Sequence, residues 1–84
     1  MNINPKEFGL AVRTVLEQVD DNVIAIIMNR KSRIIMADGK KIVEKTRKIL
    51  EVRPSVTVAL KTTAPLCSKT RKFLEAEGVQ IFID

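Results

Sequence analysis

Arg30, Lys31 and Arg33 stand within four residues of one another, and Lys40, Lys41, Lys45 and Lys48 follow within the next fifteen. Guanidinium and ammonium groups at that density suit phosphate oxygens, which they meet as ion pairs and charge-assisted hydrogen bonds. The partners that catalysis needs are missing. There is no histidine and a single cysteine, Cys67, so no Cys-His pair, internal disulfide or thiol-imidazole metal set can form. The expectation is no catalytic residues, no metal and no cofactor. Two adjacent carboxylates, Asp20 and Asp21, precede Asn22. Turn chemistry accounts for them more simply than acid-base or metal chemistry.

The charges are unevenly placed. Residues 30–72 carry thirteen basic side chains against Asp38, Glu44 and Glu51, a net +10, while residues 1–29 sum to −2 and residues 73–84 to −3. Such asymmetry within one domain suggests a basic face for a polyanion. The competing reading is a solvated surface that keeps the protein soluble.

The 84 residues make one domain, 1–84, and a chain of this size buries only about 60% of the surface it exposes when unfolded. A partner that completes a small core is therefore a second possibility. Apolar content of 45% with 30% charged residues is that of a globular protein. The longest apolar run, Val23 to Met28, falls far short of the roughly 20 residues of a membrane helix, and the N-terminus lacks a signal-peptide pattern. A cytoplasmic protein with no membrane partner is expected. The absence of His, Trp and Tyr beside ten Ile and nine Val points toward a thermophilic source.

The elements that must position the basic groups follow from patterning. Asn4-Pro5-Lys6-Glu7 combines a cap, a proline at the first helical position and a glutamate three residues after the cap. It predicts a helix from Pro5 to about Val19, burying Phe8, Ala11, Val12, Val15, Leu16 and Val19 and leaving Lys6, Arg13 and Glu17 outside. Val23 to Met28 reads as a strand buried on both faces near the sheet centre. Asn29-Arg30-Lys31-Ser32 is short and polar enough to be a hairpin turn into a second strand, Arg33 to Ala37. Arg30, Lys31 and Arg33 would then form a basic finger at the tip, or merely solvated edge residues.

Asp38-Gly39 predicts the start of a second helix running to about Glu51, with Asp38 as N-cap and Gly39 in a tight turn. Its inward stripe is Ile42, Val43, Thr46, Ile49 and Leu50. Lys40 and Lys41 in the first turn oppose the helix dipole, which an anion held by the exposed amides would offset. Arg53-Pro54-Ser55 breaks the chain before a strand, Val56 to about Thr62. A third helix opens at Thr63-Ala64-Pro65 with Leu66, Thr70, Phe73 and Leu74 inward, Cys67 reading as a small core residue, and Gly78 as its cap. A last strand spans Val79 to Ile83, with Gln80, Phe82 and Asp84 on its other side. The strand-helix-strand unit predicts a right-handed parallel crossover. The fold class is α/β, in the order α-β-β-α-β-α-β, a four-stranded mixed sheet packed with three helices.

Two family resemblances accompany this reading. Thr62-Thr63-Ala64-Pro65-Leu66-Cys67, then Lys69-Thr70-Arg71-Lys72-Phe73-Leu74 and Gly78-Val79, resembles the first strand-helix-strand unit of glutaredoxins and thioredoxin-like proteins, with Ala64 in the place of the family's first cysteine. That likeness implies a degenerate redox protein. Residues 33–83 are similar to the kink-turn-binding ribosomal protein family in their order of strand, glycine-initiated basic helix, strand, helix, strand. That likeness implies that Gly39, Lys40, Lys41 and Lys45 meet RNA.

The leading functional expectation is a non-enzymatic nucleic-acid-binding domain, RNA favoured over DNA. In it the hairpin tip and helix start, through Arg30, Lys31, Arg33, Gly39, Lys40, Lys41, Lys45 and Lys48, contact phosphates. Only three Phe and no Trp or Tyr leave few stacking platforms, which favours shape and backbone recognition. The alternative is an assembly module whose apolar sheet face pairs in a homodimer.

Overall fold

The computed structural model describes residues 2–10 and 14–83, with Asn2 described by its backbone alone. Ala11, Val12 and Arg13 of the expected first helix, and Asp84 of the last strand, lie outside the described residues.

The chain builds an α/β fold on a mixed sheet in sequential order. A two-residue edge, β1 (Asn2–Ile3), is followed by β2 (Val15–Asp20) and β3 (Val23–Met28), antiparallel to each other. β4 (Thr57–Thr62) and β5 (Gln80–Ile83) continue the sheet in parallel with β3. Two helices make the crossovers, α1 (Met36–Val52) between β3 and β4 and α2 (Ser68–Ala76) between β4 and β5. The central place of β3 and the parallel β4-α2-β5 unit match the sequence reading, whereas burial of β3 on both faces holds only for its middle residues and α2 begins at Ser68 rather than at Thr63-Ala64-Pro65. Ile24 and Ile26 are buried beneath the helices, and the small Ala25 is buried among its neighbours on the other face, where Ile27 is only half-buried.

Two expected elements are corrected. The helix over residues 5–19 is instead one turn of 3-10 helix, Pro5–Phe8, and then a strand. Asn4 caps that turn by accepting from the Lys6 amide at 3.0 Å. Gly9, at φ 71°, closes it by returning its N–H to Lys6 and Pro5, a left-handed conformation that glycine adopts without strain. From Val15 onward the backbone pairs with β3, Val15 opposite Ile27 and Leu16 opposite Ile26. The hairpin turn is Asp21-Asn22, tightened by the Asn22 amide donating to the Asp20 carboxylate at 2.8 Å, so the Asp20 carboxylate does serve turn chemistry.

The strand expected over Arg33 to Ala37 is reduced to a single parallel bridge between Ile34 and Leu66. Helix α1 already begins at Met36. Arg30, Lys31 and Arg33 therefore occupy the β3-α1 connection at the carboxyl end of a parallel strand, not a hairpin tip. With two α-helices and one 3-10 turn, the count of three helices is also corrected.

Both helices lie on one face of the sheet. Leu16, Ile24, Ile26, Val58 and Leu60 turn toward them and join Ile34, Ile42, Val43, Ile49 and Leu74 in one core. Burying an aliphatic side chain of this size stabilises the fold by about 1.5–3 kcal/mol. The opposite face, set by strand alternation, carries Val15, Glu17, Ala25, Ile27, Ala59, Lys61 and Phe82.

Candidate nucleic-acid interface

Asp38 is the pivot of the β3-α1 connection. The residue at the cap position of α1 is Ile35, which has no acceptor, so Asp38 is the third helical residue rather than the expected N-cap. Its carboxylate reaches back to accept from the Ile35 amide at 3.0 Å and takes the Arg30 guanidinium at 2.5 Å. This is the reaching-back half of a capping box, reinforced by an ion pair. The Arg30 hydrogen bond first, and the Ile35 amide second, hold the Asp38 carboxyl below its usual range. Arg30 also donates to the Arg33 carbonyl at 3.2 Å. Its charge is thus spent on shaping the loop.

Gly39 takes no part in a phosphate turn. It lies buried inside the first turn of α1, where an added Cβ would stand 2.9 Å from Thr70 Cγ2 and 3.5 Å from Phe73 Cδ2. Absence of a side chain lets α1 and α2 approach closely. The two expected phosphate lysines diverge as well. Lys40 and Lys41 are exposed and about 100° apart around the helix.

Lys41, Lys45 and Lys48, with Glu44 among them, line one flank of α1 along a groove of about 570 Å³. Its other wall is Leu10, Thr14, Val15 and Ile26 to Met28, at the sheet end where β3 finishes and β2 begins. From Lys41 to Lys48 the rise is about 10 Å. Lys45 is half-buried, whereas Lys41 and Lys48 are exposed. Lys31 and Arg33 are exposed in the loop beyond.

The ion pairs sort the cations. Arg30 is taken by Asp38, Arg47 by Glu77 at 3.6 Å, Lys61 by Glu17 at 3.9 Å and Arg71 by Glu75 at 4.0 Å. Among the described residues, Lys31, Arg33, Lys40, Lys41 and Lys48 make no ion pair. Lys69 and Lys72 of α2 are alike in this. Helical spacing had already set those two outside, but only the docking of α2 beside α1 puts them on the same layer. The groove wall is not legible in the sequence, because the spacing around Val15 fits a helix and Leu10 and Thr14 carry no charge signal.

Cys67 is the cap residue of α2, half-buried. The Thr70 amide first and the Lys69 amide next lower its thiol from the ordinary range, with Arg33 contributing least. Its own amide donates to the Ile34 carbonyl at 3.1 Å, and the Ile34 amide to Pro65 at 2.9 Å, so the two loops that precede the helices are laced together. Among the described residues no group of His, Cys, Asp and Glu could hold a metal ion, and no helix is long and apolar enough to cross a membrane.

In comparisons with known proteins, no family model matches the chain, and neither a curated protein nor a solved structure matches it significantly.

Proposed function

We infer that this chain is a nucleic-acid-binding domain, RNA favoured over DNA, which grips phosphates with the helical layer and the loop that feeds it. The observation that carries the reading is the sorting of cations. Among the described residues, the acids neutralise Arg30, Arg47, Lys61 and Arg71 but leave Lys31, Arg33, Lys40, Lys41 and Lys48 without an ion pair on the α1 side. Opposed only by scattered acids, these charges give a field suited to a polyanion. Within this reading Lys41 and Lys48, flanking Lys45, track a backbone along the groove, and Lys31 and Arg33 extend the contact at the carboxyl end of β3. Arg30 and Gly39 shape the surface without touching ligand.

Phe8 is buried and Phe73 half-buried, while the exposed Phe82 lies on the opposite side of the sheet. The basic layer thus has no aromatic platform for unstacked bases, which favours recognition of backbone and shape.

The test is a titration of nucleic-acid-free protein against structured RNA, duplex DNA and single strands at two salt concentrations. Binding that weakens steeply with salt and is strongest for structured RNA supports the reading. No binding at low salt removes it.

A further inference from the structure

The face of the sheet turned away from the helices is uncovered among the described residues. Strand register sets out its two central rows. One runs Val15, Ile27, Lys61, Phe82 and the next Glu17, Ala25, Ala59, Gln80. Val15 is 48% exposed and Phe82 43%, and Ile27 is half-buried. Ala25 and Ala59 are fully buried by virtue of their size and central place. These rows hold one acid and one base, Glu17 on β2 and Lys61 on β4, whose side chains meet at 3.9 Å with β3 between their strands.

An isologous interface must be complementary to itself, because the same patch meets its own copy across a two-fold axis. This face satisfies that condition. An axis parallel to the sheet, midway between the two packed faces and perpendicular to the line from Glu17 to Lys61 at its midpoint, sets each acid opposite the partner's base and each base opposite the partner's acid. Apolar Val15, Ile27 and Phe82 surround the exchange. With strands about 4.8 Å apart and residues about 3.3 Å apart, the four longer strands present roughly 20 by 20 Å. That is about 400 Å² per copy in projection and more as accessible surface, in the range of small, reversible interfaces.

We propose that two copies of this chain pack sheet face to sheet face, exchanging the Glu17–Lys61 ion pair across the two-fold axis and sending the basic helical layers outward. Glu17 and Lys61, the charges exchanged, do not line the groove beside Lys41 and Lys48, so the charge variants test dimerisation separately from nucleic-acid binding.

Sedimentation velocity of the full chain over a concentration series tests the proposal, with circular dichroism confirming the fold of each variant. The expected result is a reversible monomer-dimer equilibrium. Glu17→Lys and Lys61→Glu, each bringing like charges together, shift it at least tenfold toward monomer, and an equimolar mixture of the two recovers a heterodimer. Ile27→Lys, at the middle of the face, also abolishes the dimer. Wild-type protein that stays monomeric at every concentration overturns the proposal. So does a dimer indifferent to the charge variants, which would place association elsewhere, such as the free edge of β5. Should Ile27→Lys fail to fold, the mixing experiment still decides, since an ion pair confined to one chain gives no heterodimer.

Discussion

The Arg30 guanidinium and the Asp38 carboxylate meet at 2.5 Å across the entry to α1, so the first arginine of the basic cluster is a structural residue. Asp38→Asn removes the ion pair and weakens the bond to the Ile35 amide. It should destabilise the protein by about 1–2 kcal/mol at neutral pH, read as a lower urea midpoint. Because the folded carboxyl titrates below its ordinary value of 3.8, this contribution is complete above the unfolded value and fades as pH falls through the lower folded one. The gap between wild type and variant should therefore narrow below about pH 4. A gap of constant size down to pH 2 counts against the pair.

Arg30→Ala separates architecture from binding. It should lower stability while leaving nucleic-acid affinity near wild type at temperatures where the variant is folded. Arg33→Ala and Lys31→Ala should do the reverse. Affinity loss with unchanged stability in Arg30→Ala would return that side chain to the interface.

Lys41→Glu combined with Lys48→Glu should weaken binding about tenfold or more and flatten the dependence of log affinity on log salt by about two. Unfolding should stay within about 0.5 kcal/mol of wild type, since both side chains are exposed. A folded double variant with unchanged affinity and slope would exclude this flank.

Gly39→Ala exchanges a helix-propensity gain of about 1 kcal/mol for a Cβ placed 2.9 Å from Thr70 Cγ2. Thr70 is fully buried and β-branched, with little room to yield. A net loss of about 1–2 kcal/mol is expected. Adding Thr70→Ser deletes the obstructing methyl and should recover most of it. A double variant no more stable than Gly39→Ala alone would show that the close approach is not the reason for glycine.

The Cys67 thiol faces the amides that open α2, which favour its thiolate. Alkylation by iodoacetamide followed against pH should show a lower midpoint in the folded protein than in the urea-unfolded chain. Coincident midpoints would contradict the amide contacts.

Much of this molecule is legible in its residues, and the reason is local. Val23 to Met28 is too apolar and too β-branched to be anything but a buried strand, and the stripe of α1 from Ile42 to Leu50 has one amphipathic solution. The crossover from β4 through α2 to β5 follows from alternation, a helical period and the Gly78 stop. The concentration of charge in residues 30–72 needs no coordinates either.

Partners distant in sequence decided the rest. Val15, Leu16 and Val19 fit a helical period as well as a strand, and the choice fell to the backbone groups of β3, which pair with residues 15–20. Once β2 had taken that place, Arg30 to Arg33 became a strand-to-helix loop. Asp38 could then turn back to Arg30, and Gly39 found its neighbour in Thr70, thirty-one residues away in sequence. The groove beside Lys48 and the uncovered face of Glu17 and Lys61 exist only in three dimensions. A period of residues specifies which side of an element is apolar, whereas what that side meets is set by packing.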